Sequence, residues 1–413
     1  MNMKISDLAK KVQAGDLKMH HFEQYFSVED SIEKRQEIVS RITKSKLEKI
    51  SDFSMSPKEA ARKNCENMIG AIQVPVGVAG PLKINGEYAR GRFFFPLATT
   101  EGCLVAGVNR GCRASMLSGG VKTVTKRRGI TRAPVFKTTG IRESKKFAQW
   151  IEDNFEKIKS QVEKTDPHIS LHKIKCWRVG RSVHVRFVFG TADAMGMNMA
   201  VVACDNVIKN LITKKTGIKC ISVTGNMCSD KKPTAINFIL GRGLSTWAEV
   251  IIKKKDVKKV LKVTPEEIVE VNTRKNLEGS ALAGSYGFNA HFANIIAAMF
   301  IATGQDPAHV VEGSSGITSA ELEKNGDLYF SVHLPSLIIG AVGGGTGLDT
   351  QKEALEILGV NVTKGNPGDN VMKLAEVITA AVLAGELSLL SALAANDLAR
   401  AHVVYGRRKK YKT

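Results

Sequence analysis

Ile32, Ile38, Ile42 and Leu47 recur at helical spacing in an otherwise polar stretch, so residues 1–55 read as a small helical unit. The SerMetSerPro run at 54–57 marks a break after it. From Glu66 the texture changes to ENMIGAIQVPVGVAGPLKING, whose short apolar pieces between Gly and Pro predict strands and tight turns, with backbone able to approach a ligand. Residues 133–222 carry their own alternation. A charged helical stretch runs near Glu143 to Gln161, RSVHVRFVF at 181–189 has period two, and an apolar run opens at DAMGMNM, 193–199. Strand followed by helix predicts an α+β insert. Beyond GNMCSDKKP, 225–233, the pattern predicts a second α/β segment, a long helix from Ser280 to Ala302, the glycine run GAVGGGTG, and an apolar helix from Asp369.

The most apolar stretch, Ala375 to Ala395, contains Glu376 and Glu386, and a membrane span of about 20 residues rarely tolerates two carboxylates. It is expected to be a buried core helix. The start, MNMKISDLAKKVQAGDL, has no apolar segment after its first lysine and does not read as a secretory signal. Seven cysteines, at 65, 103, 112, 176, 204, 220 and 228, form no CxxC pair and no zinc-type spacing; no metal site is expected, and a reducing cytoplasmic compartment fits.

With 60 Lys and Arg against 40 Asp and Glu the formal charge is +20, which attracts any polyanion, including phosphate-rich cofactors and nucleic acid. Much of the excess lies in lysine runs that usually form solvated faces. No basic pattern interleaved with aromatics suggests base stacking, so a nucleic-acid partner is not expected.

Several polar residues offer chemistry, each beside a plainer reading. Ser229 to Pro233 places Asp230 next to Lys231 and Lys232 just before a proline, which favours a turning loop; adjacent lysines are more often surface residues. Glu101, in ThrThrGluGlyCys, is placed to be partly desolvated and protonated near neutral pH, or simply to cap a helix. Asp306 follows a helix stop at Gly304 and equally suits a turn. His402 lies in an apolar helix near the chain end. Asp193 to Met199 follows a strand and opens a helix, where backbone amides can meet an anionic cofactor, although its methionines are equally core filler. GGGTG at 343–347 does not match the GxGxxG fingerprint, and no P-loop occurs.

Taken together, the ordered set ENMIG, PVGVAGPL, TTEGCLVA, NRGCRA, DAMGMN, DKKP, GQD, GGGT and AGELSLL closely resembles class I 3-hydroxy-3-methylglutaryl-CoA (HMG-CoA) reductases from Glu66 to His402. Class II relatives differ in the cofactor motif and around the lysine loop. The resemblance implies an α+β fold in four parts: a helical N-terminal unit (1–55), a large α/β HMG-CoA-binding and dimerisation domain (56–132 and 223–406), an inserted small ferredoxin-like cofactor domain (133–222), and a basic tail (407–413). It implies a homodimer with the active site between subunits, commonly paired into a homotetramer, with no membrane anchor in this chain.

The activity implied is reduction of HMG-CoA to mevalonate and CoA by two NADPH, through mevaldyl-CoA and mevaldehyde. Glu101, Lys231, Asp306 and His402 match the catalytic positions. Lys231 would stabilise and protonate the oxyanion formed by hydride addition, and His402 would protonate the departing CoA thiolate. Protonated Glu101 would supply the aldehyde proton, with Asp306 holding the lysine. The resemblance assigns Arg132, Asp230, Lys232, Lys275, His291 and Asn294 to the HMG moiety, and Asn109 and Arg110 to CoA. It assigns Asp193, Met195, Gly196, Met197, Asn198, Gly343, Gly344 and Gly345 to the nicotinamide cofactor.

Two departures stand out. Where relatives carry a Ser-Arg pair for the cofactor 2′-phosphate, Asp166 and Pro167 align, so NADH use is also expected as possible. Arg408 replaces the regulatory serine of animal enzymes, so that phosphorylation is expected to be absent. A degradative reductase running from mevalonate, and a nucleic-acid-binding protein on a reductase scaffold, are the competing readings.

Overall fold

The structure, a computed structural model, describes residues 4–360 and 365–396. The N-terminal part is helical, with α-helices at Ile5–Ala14 and Val28–Thr43 and a 3-10 turn at Met19–Gln24. Ser27 starts the second helix by accepting a hydrogen bond from the Asp30 amide, a standard N-cap. Ile32 and Ile38 are buried as their spacing predicts, but Leu47 lies past the helix in a turn at φ 54°. SerMetSerPro is a helix start as well as a break: Ser56 caps Pro57–Lys63, with Pro57 at its first turn.

Among the described residues ten strands form one sheet: β1 Val76–Gly86, β2 Arg90–Ala98, β3 Val121–Arg132, β4 Val135–Lys137, β5 Ser170–Val179, β6 Ser182–Gly190, β7 Lys219–Ser222, β8 Gly243–Ile252, β9 Ile317–Leu322 and β10 Leu328–Leu337. The main path runs β7-β4-β6-β3-β8-β10-β9, with β1 carrying β2 alongside β3, and β5 on β6. β3 is the joint. Its Lys122 to Gly129 stretch pairs antiparallel with β8, whereas Ile130 to Arg132 pair with Phe189 to Phe187 of β6. The apolar core divides at this joint. One cluster includes Ile130, Phe136, Phe147, Val185, Phe187 and Val207; the other centres on the helix Asp369–Ala394 and β1, β2, β8 and β10.

Val183, Val185, Phe187 and Phe189 alternate on the face of β6 covered by the helices Ile141–Asp153, Phe155–Glu163 and Met197–Val207. Asn154 divides the first two, where the sequence pattern reads as one charged helix. The expected helix from Ser280 to Ala302 is corrected more substantially. Ser280–Leu282 closes a helical run that begins at Pro265, residues 283–291 are irregular, and a separate helix covers Phe292–Thr303. The physical reason is Glu386, whose buried carboxylate accepts from the Ala290 and His291 amides and from Thr318 Oγ1, rewarding a turn that a continuous helix would not allow.

Asp369–Ala394 has the length and apolarity to cross a membrane, yet 83% of its apolar window is buried inside the protein. Its polar residues are satisfied there: Glu376 accepts from the amides of Glu87, Tyr88 and Ala89 at the β1–β2 turn. Close approach explains one glycine of NRGCRA. A Cβ on Gly111, in the helix Leu104–Leu117, would lie 1.8 Å from the Ala384 carbonyl oxygen, so the two helices touch through backbone.

Candidate active site

Asn226, Ser229 and Lys231 all adopt positive φ (63°, 56° and 56°), a conformation costing non-glycine residues about 1–2 kcal/mol each. The loop is held by several anchors. Gly225 N–H donates to Ala133 O at 2.6 Å, Thr131 Oγ1 to Cys228 O at 2.9 Å, and Asn237 Nδ2 to Ser229 O at 3.0 Å. Strain concentrated in a pinned loop of charged residues is typical of functional sites. Its product is the Lys231 Nζ–Asp306 Oδ2 ion pair, at 2.7 Å.

Asp306 arrives from the other side. Gly304 ends the helix Phe292–Thr303 at φ 69°, and Asp306 then accepts the Ala308 amide at 3.0 Å as cap of a short 3-10 turn. Burial pushes the Asp306 carboxyl up, but hydrogen bonds from Lys231 and Ala308 and the nearby His309 outweigh it, leaving it below its ordinary 3.8. Asp306 is thus both the turn former and the ion-pair partner of Lys231.

Glu101 sits between β2 and the helix Leu104–Leu117; its amide donates to Thr99 Oγ1, and its carboxylate accepts from Asn294 Nδ2 at 3.2 Å. Among the described residues Glu101 is exposed, so the expected partial desolvation is not met there. His402 lies outside the described residues.

Of the expected HMG-binding residues, Asp230 is the best ordered by charge. Its Oδ1 meets Arg242 Nη2 at 2.9 Å and its Oδ2 meets Arg132 Nη1 at 3.5 Å. Arg132 ends β3 at the joint between the two cores, and its Nε is buried without a hydrogen-bond partner among the described residues. Lys232 Nζ folds back on Asp230 O. Glu386 links a second group: it holds the His291 amide and Asn276, while Lys275 Nζ donates to Asn276 Oδ1 at 3.2 Å. Asn294 Nδ2 lies 3.4 Å from His291 Nδ1 and joins this group to Glu101. Asn109 Oδ1 accepts the Gly80 amide, tying the glycine loop of β1 in place, and Arg110 Nε donates to Ser388 Oγ.

The two expected cofactor segments meet. Ala194 and Val342 form a bridge, and the Ala341 amide donates to Asp193 O at 2.8 Å. Asp193 itself caps the helix Asp369–Ala394, accepting the Gly368 and Val371 amides. Met195 lines a cleft with Arg127, Ile130, Thr191 and Val371. Gly196, at φ 81°, starts the helix Met197–Val207; Met197 Sδ accepts from Arg242, and Asn198 is exposed in the first turn. Gly343 and Gly344 have positive φ with open space where a Cβ would stand, while Gly345 packs on the Gly304 backbone. Free amides at a helix start beside an open glycine edge suit an anionic dinucleotide. Asp166 spends its carboxylate on the His168 amide at 2.8 Å, a local turn.

Arg242, His309, Glu312 and Asn237 went unnoticed in the sequence. Arg242 is fully buried and meets Glu312 at 2.6 Å and Asp230 at 2.9 Å. Asn237 donates to Glu312, and His309 Nδ1 lies 2.6 Å from Glu312 Oε2. Asp230, His309 and Glu312 are spaced to hold a metal ion, but Arg242 already supplies the positive charge between two of them. No spacing or motif signals this cluster, because it joins the β8 start to a helix some 70 residues later.

A family model described as hydroxymethylglutaryl-coenzyme A reductase matches residues 31–407. The chain is 49% identical to the 3-hydroxy-3-methylglutaryl-coenzyme A reductase of Pyrococcus horikoshii, over 98% of this chain and 99% of that protein. It is 50% identical to that of Methanocaldococcus jannaschii, over 97% and 99% respectively. Among solved structures, the class II reductase of Streptococcus pneumoniae bound to NADPH shares the fold, with a TM-score of 0.66 at 16% identity over 91% of this chain and 100% of that one.

Proposed function

The chain belongs to the hydroxymethylglutaryl-coenzyme A reductase family, and from that premise we propose how its residues reduce HMG-CoA to mevalonate. It is a class I enzyme and uses NADPH. The observation that carries the site reading is the Lys231–Asp306 pair on a pinned, strained loop.

NADPH supplies hydride. The Met197 helix start and the Gly343–Gly344 edge would hold it. A carbonyl receiving hydride gathers negative charge on oxygen, and an ammonium in a partly dry site stabilises that charge and gives it a proton. Lys231 fills this role, kept protonated and aimed by Asp306. Mevaldyl-CoA then collapses to mevaldehyde, and His402 protonates the CoA thiolate so that it departs as a thiol. Reduction of the aldehyde needs a second proton at oxygen, which Glu101 supplies. An exposed Glu101 is suited to this only when covered, so the active site is completed by the partner subunit of a homo-oligomer. Arg132 and Lys232 bind the HMG carboxylate by charge-assisted hydrogen bonds, Asp230 accepts from its hydroxyl, and Lys275, His291 and Asn294 complete that wall. Asn109 and Arg110 face CoA.

The division into a helical unit, a large domain and a ferredoxin-like insert at 133–222 is supported by the separate apolar cluster and by helices on one face of an antiparallel sheet. The protein works in the cytoplasm without a membrane partner, a placement supported by its seven free cysteines and buried apolar helix. The deciding experiment follows NADPH consumption against CoA thiol release. Two NADPH per thiol, with mevalonate as product, supports the proposal; one NADPH per thiol, ending at the aldehyde, refutes the two-step use of one site.

A further inference from the structure

We infer that His309 is a positioning residue that sets the charge and orientation of the Lys231–Asp306 pair, an inference that rests on the role proposed for that pair. The ring is fully buried. Its Nδ1 lies 2.6 Å from Glu312 Oε2, a distance that requires a hydrogen on the nitrogen facing a carboxylate. Nε2 has no hydrogen-bond partner among the described residues, and points between two further carboxylates, Asp306 Oδ2 at 3.8 Å and Asp230 Oδ1 at 3.9 Å. At those separations the contacts are electrostatic and not hydrogen bonds.

A lone pair on Nε2 would face two carboxylate oxygens, with no donor to relieve it. A hydrogen there reverses the interaction, so the arrangement favours the ring bearing hydrogen on both nitrogens. Three carboxylates, Asp230, Asp306 and Glu312, meet three cations, Lys231, Arg132 and Arg242, and the oxygens that Nε2 faces, Asp306 Oδ2 and Asp230 Oδ1, are the ones held by Lys231 and Arg242. Among the described residues only His309 reaches all three carboxylates. Glu312, anchored by Arg242 and Asn237, fixes one edge of the ring; the other edge presents positive charge to the carboxylate that holds Lys231.

The chain also explains why Asp306 can accept both Lys231 and the Ala308 amide and still remain ionised in a half-buried setting. His309 lies three residues on, across one 3-10 turn, so its ring returns beside the Asp306 carboxylate. Deleting this positive edge raises the Asp306 pKa, because an opposite charge within about 4–6 Å is what favours the ionised form. The lysine partner would then be lost at a higher pH than in the wild type.

His309→Gln keeps a polar side chain that can donate to Glu312 but carries no charge. The measurement is kcat, KM for HMG-CoA and the pH profile of kcat/KM, with thermal unfolding as a check on folding. The expected result is a kcat lowered about tenfold or more, and an acidic limb moved to higher pH by roughly one unit. A folded His309→Gln enzyme with unchanged kcat and an unmoved acidic limb would show a merely structural histidine and overturn the inference. Should that variant fail to fold, Glu312→Gln is read in the same way: it loosens the Nδ1 anchor, and an unmoved limb overturns the inference equally. Lys231→Ala, assayed alongside, separates the two levels, since a fully active Lys231→Ala enzyme would defeat the reading of the pair itself, whatever His309 does.

Discussion

Replacing Arg242 by Met removes the central cation of the buried cluster and tests whether that cluster holds the lysine loop. Arg242 is fully buried, donates to Glu312 at 2.6 Å, Asp230 at 2.9 Å and Thr131 Oγ1 at 2.9 Å, and has a thioether neighbour in Met197. Methionine fills much of the same volume, so little of the loss comes from a cavity. The loss comes from Glu312, also fully buried, which keeps only the Asn237 and His309 contacts. Breaking one side of a buried ion pair costs about 3–5 kcal/mol, and the two surviving contacts place this case near the lower figure, about 3 kcal/mol. The assay is urea unfolding of the ligand-free protein, since substrate or NADPH would add its own binding energy. The double variant Arg242→Met, Glu312→Gln removes the orphaned charge and should recover about 1 kcal/mol or more. A single-variant cost under about 1 kcal/mol, or a double variant whose loss is the sum of the singles, would refute the reasoning.

Gly304→Ala forces a Cβ to within 2.2 Å of Gly345 O at a φ of 69°, so it should destabilise by more than about 1 kcal/mol and weaken NADPH binding through the displaced 343–345 loop; calorimetric titration with NADPH checks this. Glu376 is raised above its ordinary 4.5 by burial, against which three backbone amides and Thr123 act. A carboxyl raised on folding contributes stability that is full below the unfolded value and lost as pH rises through the folded value. The stability of wild type relative to Glu376→Gln should therefore be greatest below pH 4.5 and fall toward neutrality, and chemical unfolding at several pH values measures it. Asp306 runs the opposite way: held below 3.8, it stabilises at neutral pH, and that contribution disappears as acid protonates it, a loss that Asp306→Asn should not show.

Elements governed by local periodicity were legible in the chain. The alternation at 182–190 became β6, the apolar stretch after Asp369 became the central helix, and Gly304 ended its helix as its type suggests. The turning loop before Pro233 was legible too, because the restriction before proline is local. Features decided by distant partners were not. The break at 283–291 depends on Glu386, about a hundred residues later, and within a single apolar pattern nothing marks it. Arg242, His309 and Glu312 escaped for the same reason, since an arginine between two glycines has no periodicity and its partners become visible only when β8 and the 3-10 turn are packed together. Glu101 is exposed among the described residues, a setting that the local sequence around it does not reveal.

The central claim is that the Lys231 ammonium, held by Asp306, stabilises the oxyanion formed when hydride adds to the HMG-CoA carbonyl and gives it a proton. It is tested most directly by following NADPH oxidation with HMG-CoA for wild type and Lys231→Ala. Lys231 is partly exposed, so the variant should fold, with a thermal midpoint close to that of the wild type. The account predicts rapid HMG-CoA-dependent oxidation by the wild type and a kcat reduced by about 10²–10³-fold or more in the variant, the loss expected when a group stabilising transition-state charge is removed. A folded Lys231→Ala enzyme oxidising NADPH at the wild-type rate would contradict it.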